Sequence, residues 1–292
     1  MSKATRTRAR SARERIAVQQ EAGRRAERRR RLLIIGGSVG LVIVLIVALV
    51  VVKSLSKPTK NFGSGKLSAA VTRNITTVPG STLASVGTGP LTDVRKLPIK
   101  PVRDTPLTAA GKPEMLYIGA EYCPYCAAMR WSMAVALSRF GTFGALKGIH
   151  SSPTDYAPNT ATLTFYKQHY SSPYLAFTPV EHQTVTGSAL QPVSKAQQAL
   201  WAKYDSSPQG LGYPFIDFGN KVVITGPLYD PKVLAGLAWA QIASKLKNPN
   251  DPVTQNIDGA ANWITAAICK MTRNRPGSVC AAAPVSAIEA KL

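Results

Sequence analysis

Apolar and polar positions divide the chain into three regimes. Residues 32–52 are 21 consecutive positions without a charge, mostly Leu, Ile and Val, interrupted only by Gly36, Gly37, Ser38 and Gly40. That length is enough to cross a bilayer core as one helix. Residues 53–112 show no sustained period and are rich in Lys, Thr, Ser, Gly and Pro. Within them 53–67 reads as a flexible tether, 68–77 as a short helix or strand, and 83–86 as a first piece of folded chain. Beyond 112, short apolar runs alternate with segments of helical spacing. Residues 114–118 (Glu-Met-Leu-Tyr-Ile) predict a buried strand, and 127–140 predicts a helix with Met129, Met133 and Leu137 on one side. Strands are predicted at 146–149, 163–166 and 174–180, and a helix at 191–204. A hairpin of Phe215–Phe218 and Val222–Thr225 follows, then a long helix at 231–246 packing through Leu234, Leu237, Ile242 and Leu246, and a last helix at 256–271. The fold class is α/β, in the order β-α-β-(insert)-α-β-β-α.

Charge changes the picture at one end only. The formal net charge is +21, yet residues 1–31 hold 12 Lys/Arg against Glu14, Glu21 and Glu27. Alone, such an arm binds nucleic acid electrostatically. Followed at once by an uncharged 21-residue run, it is better explained as a topology signal and a contact with anionic lipid. Eight Lys/Arg in 13–31 against four in 53–72 keep the N-terminus cytoplasmic. The apolar run exceeds the usual signal-peptide core, and Ser54-Leu-Ser56 is a poor cleavage site, so an uncleaved anchor is expected. No nucleic-acid partner is expected.

The candidate chemistry sits where the predicted strand at 114–118 gives way to the predicted helix. Gly119-Ala-Glu-Tyr-Cys123-Pro-Tyr-Cys126 carries a Cys-x-x-Cys at that junction. Free N–H groups and the positive end of a helix dipole stabilise a thiolate, which makes Cys123 the nucleophile. Cys126, three residues on, is within reach to resolve a mixed disulfide. Pro124 suits the first helical turn, where its missing N–H has no cost.

Strand, aromatic, Cys-Pro-Tyr-Cys and helix resemble the active site of the thioredoxin superfamily, with Pro124-Tyr125 typical of glutaredoxins. A second matching stretch is Gly212-Tyr213-Pro214-Phe215 with its hairpin. In that superfamily a cis-proline opens the strand facing the cysteines, and the resemblance gives Pro214 that role. With Tyr213 it would form the edge on which a peptide substrate lies. From about residue 71 to 280 the chain is similar to a prokaryotic family of membrane-anchored, thioredoxin-like proteins carrying a domain of unknown function. Gly119-Ala-Glu-Tyr-Cys-Pro-Tyr-Cys, Ala136-Leu-Ser-Arg-Phe-Gly141 and Thr265-Ala-Ala-Ile-Cys269 carry that likeness. It implies a fold and a chemistry but no substrate. Where thioredoxins place a buried Asp six residues before the first Cys, this chain has Tyr117, which cannot serve as a carboxylate base. Between Cys126 and Pro214 lie 87 residues, about twice the gap of a minimal member; the excess is assigned to 145–190, an added hairpin or lid near the site.

Other candidates carry two readings each. Cys269 and Cys280, separated by ten residues rich in turn formers, are either a second redox pair or a structural staple; local pairing outside the cytoplasm favours the staple. Four cysteines also suggest zinc, but the distal spacing lacks a tight knuckle, so no metal and no dissociable cofactor are expected. Glu121 and Arg130 flank the Cys pair and either assist proton transfer and the thiolate or are solvated charges at a helix start; the latter is the expectation. His150, His169 and His182 are scattered and read as surface or loop residues.

The sequence thus predicts a basic arm (1–31), a transmembrane helix (32–52), a tether (53–67) and an extracytoplasmic thioredoxin-like domain (68–292), with 251–292 as C-terminal helix and disulfide loop. The expected activity is thiol–disulfide exchange on protein thiols or disulfides, with a membrane redox partner. The competing reading is a non-enzymatic assembly or interaction protein with a static disulfide. Topology is directly testable: protease added to intact protoplasts should remove the C-terminal domain and spare a tag at residue 1, and protection of both ends would contradict a single outward-facing anchor.

Overall fold

The computed structural model describes residues 65–205 and 210–292. The chain divides into two units, Met1–Lys60 and Asn61–Leu292, and the described residues belong to the second. The arm, the 32–52 segment and the tether through residue 64 lie outside them. Among the described residues no helix is long and apolar enough to cross a membrane.

The architecture is mixed α/β. In chain order the elements are β1 (Gly65–Lys66), α1 (Ala69–Thr76), α2 (Gly80–Val86), β2 (Ile99–Pro101), β3 (Thr108–Ala109), β4 (Lys112–Gly119) and α3 (Pro124–Leu137). There follow β5 (Thr142–Phe143), β6 (Lys147–His150), β7 (Ala161–Thr164), β8 (Tyr170–Ser171), β9 (Ala176–Glu181) and α4 (Lys195–Tyr204). The chain closes with β10 (Phe215–Phe218), β11 (Val222–Thr225), α5 (Trp239–Lys245), α6 (Pro252–Thr272), α7 (Gly277–Cys280) and α8 (Val285–Glu289).

The main sheet runs β2-β11-β10-β4-β9, with β3 paired to the first residues of β4. β4 and β9 are parallel, and their register sets Gly119 opposite Glu181. The remaining pairs are antiparallel. Side-chain alternation divides the sheet cleanly. Met115 and Tyr117 of β4, Ile216 and Phe218 of β10, and Val222 and Ile224 of β11 join the large core with α3 and α6. Leu116, Ile118, Phe215 and Val223 face the other way, onto Trp201 of α4. Gly219 and Asn220 both have positive φ (64° and 56°), which closes the β10–β11 hairpin with two left-handed residues.

α3 is buried from Cys126 through Leu137 on every side, so it lacks the polar stripe of a surface helix. One side meets the sheet and another meets α6, through Ser132 Oγ donating to the Ile257 carbonyl (2.8 Å). The third is covered by the β6–β7 hairpin, which pairs with β1 in a small separate sheet. There Trp131 Nε1 donates to the Ala161 carbonyl (3.0 Å) and Thr162 Oγ1 to that of Ala127 (2.7 Å).

Four sequence expectations change. The 53–67 tether ends earlier, because Gly65 and Lys66 pair with β6 and Leu67 enters the core. The 231–246 helix is broken: a 3-10 turn, Pro231–Leu234, is followed by extended Ala235 and by Gly236 at φ 72°, before α5 starts at Trp239. The last helix begins at Pro252, where Asp251 accepts from the Val253 N–H (2.9 Å) and caps it. Finally, β9 lies within the 145–190 segment yet is a full member of the main sheet, so the added structure lies between α3 and β9.

Cys269 and Cys280 form a disulfide between the last turns of α6 and α7, and both are buried. Closing so short a loop restricts the unfolded chain. Replacing both with Ser should lower stability by about 2–4 kcal/mol, while any thiol exchange at Cys123 and Cys126 should persist in the folded fraction. An unchanged melting temperature with lost multiple turnover would make the pair a relay instead.

Candidate active site

The site is built by the end of β4 and the start of α3. Cys123 is the N-cap of α3, in extended conformation, and Pro124 occupies the first helical turn. The Cys126 N–H donates to Cys123 Sγ at 3.3 Å, so one of the helix's orphan donors falls on the sulfur. Both cysteines are free and buried; Cys123 is 5% exposed and Cys126 not at all. The Cys123 thiol is held below its ordinary range, first by the hydrogen bond from the Cys126 thiol, then by the Cys126 and Tyr125 N–H groups and the Arg130 charge. Burial opposes this. For Cys126, burial dominates and pushes the thiol well up, reinforced by Cys123. The two thiols are thus shifted in opposite directions, an asymmetry of the kind that stepwise exchange uses.

Across from Cys123 lies the Tyr213–Pro214 peptide, which is cis, at the start of β10. The Tyr213 carbonyl stands 4.0 Å from Cys123 Sγ. Pro214 and Tyr213 are therefore brought to the cysteines from 90 residues away in sequence. Tyr213 packs edge-on against Tyr122 (centroids 6.3 Å apart), and its hydroxyl meets His182 Nδ1 at 2.6 Å. His182 is a half-buried loop residue, as read, but it belongs to the rim of the site. Nothing in its local sequence marks this, because the contact depends on the strand that precedes it.

The added chain reaches the site. The loop between β6 and β7 is tied to it by the Ser152 N–H, which donates to the Tyr122 carbonyl at 2.8 Å. Its Tyr156 is exposed and stacks on Tyr125 of the motif at 5.8 Å, with Lys232 over the ring at 4.0 Å. Between this loop and the turn after β9 is a cleft of about 650 Å³ bordered by Tyr122, Ser152, Thr154, Gln183 and Val185. No charged side chain lines it.

The two flanking charges are where the sequence reading fails. Arg130 is not solvated; it is fully buried, one turn beyond Cys126 on the same side of α3. Its Nε donates to Glu181 Oε1 (2.9 Å) and its Nη2 to Glu181 Oε2 (2.7 Å) and to the Ala120 carbonyl (2.8 Å). Glu181 is equally buried and also accepts the Phe165 N–H at 3.1 Å. Its sequence signal is only that of a residue closing an alternating strand. Glu121 is 9% exposed and accepts from Thr164 Oγ1 at 2.6 Å. Burial raises its carboxyl above the usual range, against the Thr164 hydrogen bond.

A buried pair of this kind is costly to break from one side. Arg130→Met leaves Glu181 in the core without its counter-charge and should cost about 3–5 kcal/mol in urea unfolding. The double variant Arg130→Met/Glu181→Met should lose less than the single one. A neutral Arg130→Met would show that the pair contributes nothing to stability.

No curated protein and no solved structure matches this chain. One family, described as a domain of unknown function (DUF929), matches residues 99–270, a span that contains β4, the Cys pair, the ion pair and the β10–β11 hairpin. With more than half of its length so matched, the chain belongs to the DUF929 family.

Proposed function

We propose that the protein is a membrane-anchored, extracytoplasmic thiol–disulfide oxidoreductase with a thioredoxin-like fold. The observation that carries this is the free Cys123 sulfur at the N-cap of α3, receiving the Cys126 N–H and facing the carbonyl next to a cis-proline. The fold part rests on the order of the sheet. A parallel β4–β9 pair joined through α3, followed by antiparallel β10 and β11 on the other side of β4, is the arrangement expected of a thioredoxin-like core. The anchor rests on the uncharged 32–52 segment after a basic arm, whose lipid contact and cytoplasmic position are part of the same proposal.

In the reducing direction, the Cys123 thiolate attacks one sulfur of a protein disulfide. That bond breaks, the second substrate sulfur leaves as a thiolate, and a mixed disulfide joins Cys123 to the substrate. Cys126 then attacks Cys123, the substrate's remaining sulfur is released, and Cys123–Cys126 is left oxidised by two electrons. The oxidising direction is the reverse, and a membrane redox partner resets the pair. The edge formed by Tyr213 and Pro214 receives the substrate backbone, and Tyr122, Tyr125 and Tyr156 provide the aromatic rim. The steps draw on no dissociable cofactor.

Cys126→Ser should accumulate mixed disulfides through Cys123, visible as slower bands on non-reducing gels, whereas Cys123→Ser should trap none. Equal trapping by both would misassign the nucleophile. A reduction potential separates exchange from a static structural bond. An exchange-active pair lies above about −300 mV, and a value well below it would support the non-enzymatic reading.

A further inference from the structure

Three groups beneath the cysteines take no part in the exchange steps as written. They are the Tyr117 hydroxyl, the Nη1 of Arg130 and the Glu181 carboxylate. Tyr117 projects from β4 toward α3 and is fully buried. Its hydroxyl makes no conventional hydrogen bond, and neither does Arg130 Nη1, among the described residues. Buried polar atoms left this way are rare and call for a reason. For Tyr117 the polar group it meets is the Cys126 sulfur. Gly119 records how close that meeting is. A Cβ added there would lie 2.0 Å from the Tyr117 hydroxyl oxygen and 3.1 Å from Cys126 Sγ. This glycine is needed for space rather than for a left-handed backbone, because the hydroxyl and the sulfur converge over its Cα.

Resting on the exchange reading, we infer that Tyr117 is a third catalytic group. Its hydroxyl donates a hydrogen bond to the Cys126 sulfur as that thiol becomes a thiolate, while Arg130, oriented by Glu181, supplies positive charge beside it. In the resolving step the Cys126 S–H bond breaks and a Cys126–Cys123 bond forms. The Cys123–substrate bond breaks, its electron pair leaves on the substrate sulfur, and the proton ends there. One disulfide replaces another and no third reactant is consumed. Burial opposes a thiolate at Cys126; the Arg130 charge and the Ala120 N–H offset it, and the proposed Tyr117 O–H donor would add to them without solvent. Burial also holds the Tyr117 hydroxyl well above its usual range, so it remains a donor and does not act as a base. The other ionisable groups around Cys126 are Cys123 and Arg130 on α3, Glu181 on β9, and Tyr122 and Tyr213 at the rim. In this role Tyr117 acts on the reacting sulfur directly, whereas Glu181 acts through Arg130 and is a positioning residue.

The test is a titration of Cys126 in the detergent-purified full-length chain, in a Cys123→Ser background. Thiolate ultraviolet absorbance is read against the variant lacking both cysteines. Tyr117→Phe, which removes one oxygen that holds no conventional hydrogen bond, should raise the Cys126 pKa by about one pH unit or more. Glu181→Gln leaves the guanidinium charge unopposed and should move it the other way. With both cysteines present, Tyr117→Phe should slow decay of the mixed disulfide about tenfold without slowing its formation. An unchanged Cys126 titration in Tyr117→Phe, or shifts of the same sign in both variants, would overturn the inference. The titration needs no substrate, so it stands apart from the exchange reading, which fails if Cys126→Ser traps no mixed disulfide.

Discussion

A guanidinium in a protein core must carry its own counter-charge, and the position of Arg130 imposes that requirement directly under the cysteines. Desolvating the two ions costs several kcal/mol each, recovered only by a close, fully hydrogen-bonded geometry. Arg130 and Glu181 approach this with two parallel contacts, and the Ala120 carbonyl and Phe165 N–H occupy further sites on the pair, while Arg130 Nη1 makes no hydrogen bond among the described residues. The consequence is positional. Glu181 ends β9 level with Gly119, where β4 turns into the Cys motif. An ion pair from α3 to that point ties helix, turn and both parallel strands into one unit. A one-residue slip of β9 would turn Glu181 to the opposite face of the sheet and leave Arg130 alone.

How much of this the sequence discloses depends on the range of each interaction. The β4 strand, the Cys-x-x-Cys at its end and the β10–β11 hairpin are local patterns, and they appear where alternation and turn residues put them. The start of α6 was equally local, since Asp251-Pro252 is a start signal, but the apolar period alone points to a later residue. The break before α5 was hidden because Leu234, Leu237, Ile242 and Leu246 keep helical spacing across it, while one glycine and an extended Ala235 decide the backbone. Arg130 shows the larger limit. A lone Arg near a helix start is ordinarily solvated, and its partner lies 51 residues away beyond the four strands β5 to β8. His182 meets Tyr213 for the same kind of reason, across 31 residues. Pairing of this sort belongs to the topology and leaves no mark on either neighbourhood.

The added chain between α3 and β9 looks at first like an ornament on a smaller fold. Its hairpin covers the third side of α3, which removes the helix from solvent altogether. That change has an electrostatic effect, because interactions between charges strengthen as water is excluded. A dry Cys126 is harder to ionise, and the same dryness makes the Arg130 charge and the Tyr117 donor count for more.

The hairpin also supplies what the dry interior then needs. β7 ends in Thr164, whose hydroxyl donates to Glu121, and the next residue gives its N–H to Glu181. Two carboxylates beside Arg130 are therefore served by adjacent residues of the inserted chain, and the loop at its other end sets Tyr156 on Tyr125. Withdrawing the insert would expose α3 and strip a hydrogen bond from each carboxylate at once, so it cannot be regarded as a detachable lid. The order of dependence runs from the covering hairpin to the buried charges, and from those charges to the thiol chemistry proposed for the pair.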